Sequence, residues 1–161
     1  MKYKNALNLL AGLLFATVAL SAPQAAQAGQ CSLAGVAGKW GFTTSGTVVG
    51  IGPRASLGIF TLDGSGNLIR GKATASLNGS VTDETFSGTY TVNPDCTSKL
   101  AIDIFNLAGN KILTATIDLV FDDNVREARG LFTSAVLPNG APLATVITVD
   151  GKRIFTAEEN D

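Results

Sequence analysis

Leu68 to Val92 reads LIRGKATASL-NG-SVTDETFSGTYTV, two alternating runs on either side of Asn78-Gly79. The first run sets Arg70, Lys72, Thr74 and Ser76 on one face and Ile69, Gly71, Ala73, Ala75 and Leu77 on the other. The second, Val81 to Val92, sets Phe86, Gly88, Tyr90 and Val92 against Thr85, Ser87, Thr89 and Thr91. Period-two alternation places successive side chains on opposite faces of a strand. Asn-Gly accepts positive φ at both positions, which a two-residue hairpin turn of matching twist requires. The stretch therefore predicts an antiparallel hairpin with one apolar and one polar face.

The same pattern repeats outward. Lys39–Val48 alternates on Trp40, Phe42 and Thr44, and Ala55–Leu62 runs into the turn Asp63-Gly64-Ser65-Gly66-Asn67. Beyond Asn93-Pro94-Asp95, further strands are expected over Lys99–Phe105, Ile112–Phe121, Ala128–Leu137 and Leu143–Val149. Phe132 and Val136 are placed on one face of the seventh, opposite Leu131 and Leu137. Asp150-Gly151 reads as a further turn, with a short ninth strand at Lys152–Phe155. Ser32–Ala37 has room for one helical turn, and the acidic tail Ala157–Asp161 is expected to fray. Eight hairpin-linked strands favour an all-β, up-and-down antiparallel β-barrel, because closure removes exposed edges. A two-sheet β-sandwich is the alternative. The small face formed by Gly71, Ala73, Ala75, Gly88, Ala115 and Gly130 fits a narrow barrel taper, and equally an internal cavity.

Residues 1–28 read as a secretion signal. Lys2 and Lys4 precede an apolar run from Ala6 to Leu20, and Ala26-Gln27-Ala28 fits the small-x-small cleavage rule. The run is about 15 residues, short of the ~20 that span a bilayer as a helix. Residues 29–161 then form a single domain with 10 basic and 13 acidic residues, net −3, and export to a periplasmic or extracellular space is expected. That charge offers no footprint for nucleic acid or for an anionic membrane. Cys31 and Cys96 are the two cysteines, and in an exported chain they most simply form one bridge. It would close a loop of about 66 residues, for which chain entropy gives roughly 4 kcal/mol.

The chain contains no His, which excludes Ser-His-Asp and Cys-His nucleophile systems and His-ligated metals. No catalytic residue, metal or cofactor is assigned. Asp63-Gly64-Ser65-Gly66-Asn67 offers alternate oxygens, but an EF-hand needs Glu at the twelfth position, which is Thr74, and a β-turn uses the same residues. Asp122-Asp123 reads as a solvated turn. Asp103 and Asp118 lie in adjacent strands, where a carboxylate pair can run glycoside hydrolysis; Asp on a polar face is the simpler reading. An outer-membrane barrel needs aromatic girdles and an apolar outer band, which the threonine-rich faces do not supply.

Three local patterns carry a resemblance. Cys31-Ser32-Leu33 followed by Gly38-Lys39-Trp40-Gly41-Phe42, then Phe60-Thr61-Leu62-Asp63-Gly64-Ser65-Gly66-Asn67, then the stretch Phe86 to Thr97, together resemble a group of small exported bacterial β-barrel proteins of uncharacterised function. The resemblance implies a leader, a paired Cys and an antiparallel barrel, and no activity. Gly38-Lys39-Trp40 also resembles the Gly-x-Trp of lipocalins and related calycin barrels. That implies a Trp closing one barrel end against a basic residue from the last strands, here Arg129 or Arg153. Trp40 as an ordinary core aromatic is the plainer alternative.

Two function classes follow, both non-enzymatic. In the first, the barrel holds a small apolar molecule, with Trp40, Phe60, Phe86, Tyr90 and Phe132 as candidate lining residues. In the second, the interior is packed shut and the protein meets a protein partner, with Gly46–Arg54 as a candidate lid or contact loop. A continuous interior space of roughly 300 Å³ would favour the ligand. A solid interior with an exposed apolar patch would favour the partner.

Overall fold

A computed structural model describes residues 31–122 and 124–154. Residues 1–30, where the leader is expected, Asp123 and residues 155–161 lie outside the described residues. One helical turn, α1 (Leu33–Val36), precedes eight strands: β1 (Gly38–Val48), β2 (Gly52–Leu62), β3 (Asn67–Leu77), β4 (Ser80–Val92), β5 (Thr97–Asn106), β6 (Lys111–Phe121), β7 (Glu127–Val136) and β8 (Thr145–Ile154). Each pairs antiparallel with the next, and β8 returns to β1, so the sheet is a closed barrel. The sandwich alternative is thereby excluded. The Asn78-Gly79 turn has φ of 49° and 85°, the left-handed pair that such a hairpin requires.

The interior follows the alternation. Trp40, Leu62, Leu68, Phe86, Leu100, Ile102, Ile117, Leu119, Phe121, Phe132 and Ile147 are all buried in one core. The outer wall carries the ion pairs Lys99–Asp118, Lys152–Glu127, Lys111–Asp103 and Arg129–Asp150.

Four expectations are corrected. Asp150-Gly151 is not a turn, and no ninth strand follows it among the described residues: β8 runs through both, and Gly151 sits opposite Phe42 and Ala128, facing the Trp40 ring. Period two breaks inside β3, where the register shifts between Leu68 and Gly71 and Arg70 takes φ 56°. The bulge turns Leu68 inward and Ile69 outward, reversing the face expected for Ile69. A second shift, between Thr116 and Ile117, puts Phe132 and Ala135 inside rather than Phe132 and Val136. Gly46–Arg54 is no lid, because β1 and β2 continue through it and leave only Val49-Gly50-Ile51 as a tight turn. Pro53 fits near that strand end because its carbonyl, not a missing N–H, is what Asn78 uses.

One barrel end is plugged. Ser32 caps α1 by accepting from the Gly35 N–H, and Val36 is fully buried beneath the strands. The Trp40 indole donates to the Val36 carbonyl at 3.0 Å. Arg153, opposite Trp40 in the β1–β8 ladder, donates to the Gly35 and Ala37 carbonyls at 2.9 and 2.5 Å. Arg129, the other basic candidate, is instead exposed on the outer wall. The Cys31–Cys96 disulfide, with Cα atoms 4.9 Å apart, fastens the plug to the β4–β5 turn.

Candidate functional site

The candidate site is the barrel interior above this plug. It is an apolar cavity of about 60 Å³ running from Trp40, past the middle of the strands, to Thr44, Arg54, Ser56 and Glu84. Phe42, Phe60 and Phe86 form its aromatic wall, with centroids 5.7 Å apart for Phe42–Phe60, 5.6 Å for Phe42–Phe86 and 6.2 Å for Phe60–Phe86. The opposite wall comes from Leu100, Ile102 and Ile104 on β5 and Ile117 and Leu119 on β6. The volume falls well below the roughly 300 Å³ of a drug-sized ligand site. It admits a ligand of a few heavy atoms, and a larger one only if the three phenyl rings turn.

The inward glycines explain part of this narrowness. At Gly58 a Cβ would overlap the Lys72 carbonyl oxygen and stand 2.8 Å from the Phe42 ring. At Gly88 it would overlap the Ala101 carbonyl oxygen. Between a filled taper and a void, these two positions are filled: neighbouring backbone occupies the place of the missing side chains, a close approach that only glycine permits.

Four of the five predicted lining residues converge: Trp40, Phe60, Phe86 and Phe132 all face the cavity. Tyr90 does not belong to its lining. Its hydroxyl is shared between the carbonyls of Leu33 and Asp63, so it serves the plug. Burial, then the nearby Asp63 charge, pushes its pKa up to about 12.

The polar end is absent from the predicted lining. Arg54 Nη2 donates to Glu84 Oε2 at 2.9 Å, with the two side chains only 15% and 6% exposed. Beside them the Thr44 and Ser56 hydroxyls share a hydrogen bond of 2.7 Å. The alternation holds the signal: Glu84 precedes Phe86 by two, and Arg54 and Ser56 precede Phe60 by six and four, so all share the inward face. A second strand that begins only at Ala55 leaves Arg54 in a loop, and Glu84 by itself reads as a solvated acid.

The carboxylates with a conceivable metal or catalytic role are engaged elsewhere. Asp63 accepts from the Ser65 and Asn67 N–H groups and the Asn67 side chain, each at 2.8 Å, and these bonds, the Asn67 side chain foremost, hold its pKa below the usual carboxylate range. Asp95 is lowered in the same way, mainly by the Thr97 hydroxyl and then the Thr97 N–H. Asp122 accepts from the Arg126 and Glu127 N–H groups. Asp103 and Asp118 are not neighbours: Asp103 lies opposite Thr114 and Asp118 opposite Lys99, four residues apart along the ladder. Among the described residues, no three potential metal ligands cluster.

No family model and no curated protein matches the chain. Solved structures do. EF1p2_mFAP2b bound to DFHBI is similar at 15% identity with a TM-score of 0.52, over 74% of this chain and 94% of that one. The redesigned β-barrel mFAP1 bound to DFHBI is similar at 16% identity with a TM-score of 0.48, over 73% and 94%. At 15% identity the likeness to the first is one of fold alone.

Proposed function

We propose that this is an exported, non-enzymatic binding barrel that takes a small apolar molecule into its interior. The cavity is smaller than the space that would favour a ligand on size alone, so the reading rests on its lining: phenyl and aliphatic side chains with a few convergent polar groups at one end, the usual composition of a ligand site. A closed barrel does not need a charged pair inside it, and burying one opposes folding unless its interactions compensate. Its presence against the cavity therefore supports a recognition role. That a barrel of similar fold is described as bound to DFHBI is compatible with this reading. The Cys31–Cys96 bridge supports residence in an oxidising compartment. Native mass spectrometry of the protein purified from its source tests the proposal. A co-purified small apolar mass is expected. A bare protein mass, together with no thermal shift across a panel of small hydrophobic compounds, contradicts it.

A second reading, contact with a protein partner, has its own observation. The four connections at the unplugged end, residues 49–51, 78–79, 107–110 and 137–144, contain no charged residue. Val49, Ile51, Leu107 and Leu137 are exposed there by 56%, 49%, 72% and 36%. The plugged end instead carries Asp63, Asp95, Asp122 and Arg126 in its turns. If this rim is the working surface, charge introduced at Ile51 and Leu107 abolishes partner capture and leaves interior binding intact.

A further inference from the structure

Resting on the interior-site reading above, the geometry points to a class of ligand: we infer that the site selects an uncharged molecule whose polar end presents a hydrogen-bond donor beside an acceptor, as the edge of a primary amide does. Arg54 has five N–H donors, and among the described residues only Nη2 meets a protein acceptor. Glu84 is engaged through Oε2 alone. The pair is single-pronged, so guanidinium donors and a carboxylate oxygen remain for water or a ligand at the polar end of the cavity, beside the Thr44 and Ser56 hydroxyls. One free edge donates and the other accepts.

Charge then decides among polar ends. Arg54 and Glu84 cancel, and the rest of the lining is neutral. An entering carboxylate would leave the buried site at net −1, with Glu84 repelling it; an entering ammonium would leave net +1 against Arg54. Either imbalance is costly away from water. A neutral amide adds no charge: its carbonyl accepts from Arg54 while its N–H donates to Glu84. An isosteric ketone supplies only the acceptor and leaves the Glu84 oxygen unanswered, which a site built on polar groups penalises.

Three isosteres separate these cases, each of six heavy atoms and so entering the cavity of about 60 Å³ only as the phenyl rings turn: isobutyramide, 3-methyl-2-butanone and isobutyrate. They share the branched tail and differ only in bearing NH₂, CH₃ or O⁻ on the carbonyl carbon. Titration at neutral pH, followed by side-chain NMR shifts of Phe86 and Ile102, gives the three affinities. The amide is expected to bind about tenfold more tightly than the ketone and more tightly still than the carboxylate. In the double variant R54L/E84L, which removes both polar edges, the amide preference over the ketone should shrink to about threefold or less, with ketone binding retained as the sign of an intact barrel. If that variant does not fold, the Glu84 side-chain carboxylate resonance of the wild-type protein provides the test instead: it must move with the amide, whose N–H it accepts, and stay still with the ketone. Equal affinities for amide and ketone, or a preference for the carboxylate, overturn the ligand class while leaving interior binding standing. No interior shift with any of the three overturns both.

Discussion

Tyr90 and the Arg54–Glu84 pair show how single residues divide between the plug and the site. The Tyr90 hydroxyl is satisfied by two carbonyls only while protonated, and its pKa is raised from 10.0 to about 12. Because the folded value exceeds the unfolded one, its contribution to stability is complete below pH 10 and is lost as pH rises toward about 12. Denaturant melts across that window should show wild-type stability falling relative to Tyr90→Phe, whose own curve lacks this component. The ion pair makes a different prediction. Arg54→Leu alone strands a buried carboxylate and should cost about 3–5 kcal/mol. The double variant R54L/E84L should lie within about 1 kcal/mol of wild type or above it, because a buried pair seldom outperforms well-packed apolar groups. The aromatic part of the site is legible in the sequence, since Trp40, Phe60 and Phe86 announce themselves by size and alternation. The polar part is not, because a charged residue in a sequence reads as solvated until a closed sheet turns it inward.

At the level of strands, nearly every element is legible from period two and the turn residues between the runs. What escapes are the places where one residue changes the face: the bulge at Ile69-Arg70 and the shift beside Ile117. The residue that takes positive φ in the first is an arginine, not a glycine, and propensity is silent on register. Asp150-Gly151 fails in the opposite sense, a turn signal overridden because Gly151 is needed inside, beside the Trp40 ring. The inward glycines matter more for the fold. Gly88→Ala sets a Cβ against the Ala101 carbonyl and should destabilise the fold by about 1–3 kcal/mol in urea melts, although Ala favours strands over Gly elsewhere. The β7–β8 seam is the weakest ladder, with paired residues only from Glu127–Lys152 to Leu131–Thr148. Above it, Pro142 bridges to Val136 and the Leu143 N–H reaches the Ala135 carbonyl. Hydrogen exchange should therefore be faster in the unplugged half of this seam than in β4 and β5, which pair over their length.

The whole molecule is a cylinder with two unlike ends. One is closed by α1, Trp40 and Arg153 and fastened by the disulfide; the other is rimmed by uncharged loops, with the Arg54–Glu84 pair just inside. Reducing the Cys31–Cys96 bridge should lower stability by about 2–5 kcal/mol, the effect of freeing a long loop. It should loosen the plug before it disturbs the Phe42, Phe60 and Phe86 cluster, because the cluster lies away from the bridge along the barrel axis. A small molecule bound by this cylinder should lie between the phenyl cluster and the ion pair. Intermolecular NOEs from bound isobutyramide locate it. Cross-peaks to Phe86, Ile102 and Ile117, with none to the rim, are expected. Cross-peaks confined to Ile51, Leu107 or Leu137, or none to any interior residue at saturating ligand, would rule the interior out as the binding site.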